Sequence, residues 1–271
     1  MKIIRVFPRK TKATPDDNGA RFGMPDLFDE ADEVHISCTF TDDKAKAEKL
    51  ATAWKYVAPL KIGGPAYDDN GGEFIPGMYI KKGYVITSRG CPNNCWFCYT
   101  WKREGNIREL EIKDGFNVLD SNLLACSEQH IIRVFAMLKR QSEKAQFTGG
   151  LEAKRLEAWH CKKLSELKPV CIYLAYDTAD DYEPLRQSAR LLKEYGLIKS
   201  SHIVNCYVLI GYPEDTFEAA EKRLKQVIQL GIMPMAMLYN EKKDILWKRF
   251  QREWANKTIV GSKMKKTIGE K

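Results

Sequence analysis

From Tyr84 onward, short runs of β-type residues alternate with longer amphipathic stretches, and no other feature of the sequence restricts its possible folds as much. Strands are expected in YVITS (84 to 88), FNVLDSN (116 to 122), AQFTGG (145 to 150), CIYLAYD (171 to 177), VNCYVLIG (204 to 211) and MPMAMLY (233 to 239). The stretch from Asp181 to Tyr195 predicts a helix, with Pro184 early, Leu185, Ala189 and Leu192 on one face, and Gly196 after its end. Asp215 and Glu218 are spaced like a capping box, and Phe217, Ala220, Leu224, Val227 and Ile228 follow at helical spacing until Gly231. Repeated βα units join through right-handed crossovers, which makes the sheet parallel and gathers ligands beyond the carboxyl ends of its strands. The expectation is an α/β fold with an incomplete, partial (β/α)6 TIM-like barrel; a doubly wound open sheet is the structural rival.

Residues 1 to 80 follow a different pattern. IIRVF (3 to 7), EVHIS (33 to 37) and PLKIGG (59 to 64) read as strands and Ala45 to Val57 as a helix, giving a small α/β segment. The stretch from Pro65 to Gly77, rich in Gly, Asp, Asn and Pro, reads as a linker or loop. After Asn240, EKKDILWKRFQREWAN predicts a helix with Trp247, Phe250 and Trp254 on one side and Lys248, Arg249 and Arg252 elsewhere, and the tail from Gly261 is expected to fray. The expected division is therefore 1–80, 81–240 and 241–271.

Apolar residues at 44% and charged residues at 30% suit a globular protein. The net charge of +8 is spread along the chain, so it favours anionic partners only weakly. No run approaches 18 apolar residues, and Pro8 interrupts the opening too early for a signal peptide; no membrane partner and a cytoplasmic location are expected. Of the eight cysteines, Cys38, Cys126, Cys161, Cys171 and Cys206 are scattered singly and read as small buried hydrophobes. Cys91, Cys95 and Cys98 fall within eight positions.

Structural zinc normally takes four ligands, often from two paired motifs, and no second cluster follows this one; zinc would have to borrow from Cys126, His130, His160 or Cys161. Three thiolates suit an iron–sulfur cluster that leaves one iron open. Cys91-Pro92-Asn93-Asn94-Cys95-Trp96-Phe97-Cys98 resembles the CxxxCxφC signature of the radical S-adenosylmethionine (SAM) superfamily, directly after the first strand expected in the barrel. GYVITSRGCPNNCWFC, VLDSNLLA (118 to 125), FTGGLEAKRL (147 to 156), AYDTADDYEPL (175 to 185) and YVLIGYPEDTFEAAEKRL (207 to 224) resemble the core of its cobalamin-dependent and methylthiotransferase-like branch, over roughly residues 80 to 240.

The resemblance implies a [4Fe–4S] cluster on Cys91, Cys95 and Cys98 whose open iron holds SAM, reductive cleavage of SAM to a 5′-deoxyadenosyl radical, and hydrogen abstraction from a substrate. It also implies an electron donor such as flavodoxin or ferredoxin, and it places Phe97 near the adenine. Asp120 and Asn122 are either SAM contacts or members of an Asx turn. Thr148, Gly149, Gly150 and Glu152 match SAM-contacting positions, although a strand-to-helix turn also accounts for the glycines. Asp177 is a ribose or substrate contact, or else a cap for the helix near Asp181. Gly211, Tyr212, Pro213 and Glu214 resemble an adenine-proximal GxIxGxxE region that here lacks its first glycine. Arg89, Lys102 and Arg103 flank the cysteines and suit a carboxylate or phosphate, or form a solvated basic face.

Cobalamin-dependent relatives carry an Asp-x-His-x-x-Gly loop, which this sequence lacks, so the first 80 residues are expected to be a truncated, vestigial Rossmann-like layer and no cobalamin is expected. Only Cys38 precedes the motif and no cysteine follows Cys206, so a single cluster is expected. The substrate stays open between a nucleotide or nucleic acid and a peptide or small metabolite. The alternative from another class is a non-catalytic iron–sulfur or zinc protein, possibly one that binds nucleic acid through the basic aromatic helix.

Overall fold

Ile4 and Val6 flank Arg5, and Val34 and Ile36 flank His35, so the two central strands of the amino-terminal segment have one apolar face, and one helix packs on it. The computed structural model describes residues 1–69, 71–199, 203–239 and 244–269. They fall into two compact units, Met1–Gly115 and Phe116–Lys271.

In the first unit, β1 (Ile3–Val6), β2 (Ala20–Arg21), β3 (Glu33–Ser37) and β4 (Leu60–Gly63) form a parallel sheet in the order β2-β1-β3-β4, with α1 (Lys44–Trp54) between β3 and β4. Ile4, Val6, Val34 and Ile36 pack with Ala47, Leu50 and Trp54 of α1 as the core. Period-two alternation puts Arg5, His35 and Lys61 on the opposite face, side by side in the register. There Arg5 donates to the Gly77 and Met78 carbonyls (2.6 and 3.0 Å) and pairs with Asp17, while His35 bonds Glu33 (2.8 Å) and Tyr79 (2.7 Å). Phe74 is buried, so the stretch after Pro65 does not run free as a linker; Asn70 lies outside the described residues.

The strand expected over 84–88 divides in two. β5 is Tyr84–Val85, and β6 (Ser88–Arg89) pairs antiparallel with β7 (Arg108–Glu109), enclosing the short helix α2 (Thr100–Glu104).

The second unit holds β8 (Asn117–Val118), α3 (Glu128–Lys139), β9 (Gln146–Phe147), α4 (Ala158–Leu167), β10 (Cys171–Tyr176), α5 (Tyr182–Glu194), β11 (Val204–Ile210), α6 (Phe217–Gln229), β12 (Met233–Leu238), α7 (Ile245–Ala255) and α8 (Lys257–Gly269). β8 to β12 lie in sequence order and pair in parallel. An order without reversal, joined by right-handed crossovers, carries its helices on one face, whereas a doubly wound sheet would reverse. Phe147 meets Phe135 of α3 edge-on at 5.8 Å, and Tyr176 donates to Gln226 of α6 at 2.8 Å, which marks that face. The other face carries Asn117, Gln146, Tyr173, Asn205, Tyr207 and Met235 by register.

β8 and β9 are two residues each, far shorter than the runs 116–122 and 145–150, because the chain beyond them turns into the loops described below. The tail from Gly261, expected to fray, is helical through Gly269: Asn256 caps α8 by accepting from the Thr258 amide (3.0 Å), and Val260 and Met264 are buried. The helix expected after Asn240 starts at Ile245, capped by Asp244 (2.7 Å to the Leu246 amide); 241–243 lie outside the described residues. Among the described residues no helix is long and apolar enough to cross a membrane.

Candidate functional site

The cysteine loop belongs to the first unit, and its shape follows from how its two ends meet. Gly90 sits at φ +86°, where an added Cβ would overlap the Asn106 carbonyl and lie 2.7 Å from that of Gly105, so the position is open to glycine alone. The Cys91 amide donates to the Gly105 carbonyl at 3.1 Å and closes the neck. Within the loop the Cys98 amide bonds the Cys95 carbonyl (3.1 Å), which also accepts from the Trp101 indole (3.0 Å). Cys91, Cys95 and Cys98 are half-buried, and Phe97, also half-buried, meets the exposed Trp96 ring edge-on at 5.3 Å.

The neck holds a carboxylate that the sequence reading did not single out. Glu104 is 7% exposed; one oxygen accepts from the Gly90 amide (2.9 Å) and the other from Arg103 (2.8 Å), with Arg89 at 3.8 Å. Gly71, at φ +65°, lies directly against the Arg89 guanidinium, whose burial lowers its pKa from the usual arginine value. Lys102 lies over the Trp101 ring at 5.3 Å. In the sequence Glu104 is one acid after two cations, with nothing to mark it as the closure of a fourteen-residue span.

The donor types suit a cluster: three thiols on one loop. Their side chains are not gathered, however; among the described residues no three His, Cys, Asp or Glu side chains converge as a metal-holding group. Of the scattered cysteines, Cys38, Cys161 and Cys206 are buried, and burial raises their thiol pKa values, that of Cys161 to about 12. Cys126 and Cys171 are only half-buried.

In the second unit the remaining candidate residues stand at the carboxyl ends of β8 to β11. Asp120 and Asn122 are buried, and the Asn122 amide donates to Glu152 (2.6 Å), which also accepts from Arg155 (2.8 Å). An added Cβ on Gly149 would lie 2.6 Å from the Asp120 carbonyl, so the two loops approach closely there; Gly150 takes φ +98°. Thr148 donates to Asn117 at 2.7 Å, and its carbonyl accepts from Tyr207 (3.3 Å), whose ring stacks on Tyr173 at 4.3 Å.

Asp177 does not cap the helix near Asp181. Thr178 and Asp181 form a capping box on the 3-10 turn Ala179–Asp181 that leads into α5, with the Thr178 amide 2.9 Å from Asp181. The Asp177 carboxyl is pushed up to about 7, chiefly by burial and then by the neighbouring Asp181. Gly211, at φ +69°, donates its amide to Asp215 (2.8 Å), and a Cβ there would press on Leu238 and Trp247. Asp215 does not open a capping box either: its fully buried carboxylate pairs with Arg223 of α6 at 2.8 Å, and Thr216 caps α6 by accepting from the Ala219 amide (3.1 Å). Arg223 also donates to the Leu209 carbonyl (2.9 Å) and lies over the Tyr212 ring at 5.1 Å. The left-handed backbone of Glu214, φ +67°, strains this turn. Trp247 and Trp254 are buried, with Trp247 stacked on Phe217, so neither ring is presented to a nucleic acid.

Neither a protein-family model nor a curated protein matches this chain.

Proposed function

We propose that this chain is a radical SAM enzyme acting on a substrate still to be identified, with a [4Fe–4S] cluster on Cys91, Cys95 and Cys98 and a flavodoxin- or ferredoxin-type electron donor. The observation that carries the reading is the cysteine loop: three half-buried thiols on a backbone pinned at its neck and braced by Trp101, between Arg89, Lys102 and Arg103. A cluster held by Cys91, Cys95 and Cys98 would supply the electron for reductive cleavage of SAM, whose product would abstract hydrogen from the substrate.

The residues of the second unit have roles in this reading that their chemistry supports. Glu152, held by Asn122 and Arg155, offers an ordered carboxylate suited to the amino group of SAM. Tyr212, backed by Arg223, offers a flat ring for adenine, and Asp177, titrating near neutrality, can hold or release a proton toward substrate or ribose. The sequential order of β8 to β12 supports a partial (β/α)6 barrel of the radical SAM type over a doubly wound sheet.

The test is anaerobic reconstitution followed by reduction with SAM and an assay for 5′-deoxyadenosine. Wild type should produce it and Cys95→Ala should lose activity by roughly a hundredfold or more, in line with removal of a metal ligand. Equal product from both proteins would sink the cluster assignment. Bound zinc with little iron or sulfide would favour the non-catalytic alternative.

A further inference from the structure

Holding three cysteines in one loop costs conformational entropy unless the loop is already shaped before its ligand arrives. Among the described contacts, residues 90 to 105 close on themselves through the Cys91 amide on the Gly105 carbonyl and the Gly90 amide on the Glu104 carboxylate. Only the second engages a charge. A carboxylate accepting from a backbone amide and a guanidinium forms hydrogen bonds about twice as strong as neutral ones, and at 7% exposure water competes little for it. Glu104 therefore joins both ends of the loop: its backbone ends α2, and its side chain holds the residue just before Cys91 while tying in Arg103 and Arg89.

We propose that Glu104 is the positioning residue of the cysteine loop, holding the backbone of Cys91 to Cys98 in place before any cluster binds and contributing a buried negative charge beside it. The cluster part of this rests on the radical SAM reading; the clamp itself does not.

Two measurements test it on the full chain. In metal-free protein, amide hydrogen exchange over residues 90–98 should quicken by about tenfold or more in Glu104→Ala, the factor expected from losing a charge-assisted hydrogen bond. Glu104→Gln keeps an oxygen for the Gly90 amide but loses the charge, so it should show a smaller increase; it also serves if the alanine variant fails to fold. In reconstituted protein, Glu104→Ala should bind less iron and sulfide per chain. Glu104→Gln should shift the cluster's reduction potential upward, since removing a nearby negative charge favours the reduced form. Wild-type exchange rates in both variants would overturn the clamp, and an unshifted potential in loaded Glu104→Gln would overturn the electrostatic role. If wild type takes up neither iron nor sulfide, the cluster reading falls while the exchange data still decide the clamp.

Discussion

Two turns in this protein are built from the same parts. At Gly90 and at Gly211 a glycine in the left-handed region donates its amide to a buried carboxylate, and that carboxylate is held by arginine. They differ in reach. Asp215 lies four residues beyond its glycine and its arginine is on the following helix, so the group locks a tight strand-to-helix turn into the core of the second unit. Glu104 lies fourteen residues beyond its glycine, so the same chemistry closes a whole loop and leaves that loop's interior half-exposed. One arrangement locks a turn into the core; the other closes a loop that carries three cysteines.

The comparison can be broken most decisively by removing the carboxylates. Asp215→Ala leaves Arg223 buried without its counter-ion and should cost about 3–5 kcal/mol in chemical denaturation, whereas replacing both by apolar residues of similar volume should cost much less. Glu104→Ala should lower global stability far less than Asp215→Ala, its effect being confined to the loop. Equal losses would mean that both turns are core elements.

The glycines give the next largest effect. Gly211→Ala combines a left-handed residue with pressure on Leu238 and Trp247, and should cost roughly 1–3 kcal/mol on the same denaturation curve. Gly90→Ala meets backbone rather than side chain, so it should distort the cysteine loop more than it lowers the melting temperature.

Asp177 sharpens the comparison as a carboxyl near Arg223 that lacks a close arginine partner. Its folded value of about 7 lies above the ordinary 3.8, so between these limits the native state binds more protons than the unfolded chain, and stability falls as pH rises through that window. Asp177→Asn should therefore raise the melting temperature at pH 8 relative to wild type and leave it unchanged at pH 3; a gain of equal size at both would show that titration is not the cause. The smallest effect expected is from Thr148→Val, about 1 kcal/mol for the bond to Asn117, read by denaturation.

The βα rhythm of the second unit was legible because amphipathic periodicity and stop signals are local: α5 ends near Gly196 at φ +70° and α6 near Gly231 at φ +81°, as the sequence predicts. The parallel sheet followed from that rhythm, but the choice between strands in sequence order and a doubly wound order stayed open in the sequence, since it depends on which edges pair. The capping box expected at Asp215 and the cap offered as one alternative for Asp177 both fall instead to neighbouring residues, because several polar residues at each turn satisfy the same spacing and only packing chooses Thr178 and Thr216. The cysteines were visible as a motif, whereas Glu104 and Arg223 were not, because their partners are fourteen and eight residues away and the sequence pattern does not mark the pairing. α8 was missed because its polar, lysine-rich run hides Val260 and Met264, which become buried only once α8 packs against α6 and β12.

That last packing has a consequence for synthesis. β12 is the terminal strand of its row, and α7 and α8 pack against it. While the ribosome has released the chain only as far as Leu238, the newly paired strand lacks both, and an uncovered strand is a template for association with other chains. A shortened chain ending before Ile245 should therefore leave β12 without α7 and α8 and be recovered mainly in the insoluble fraction.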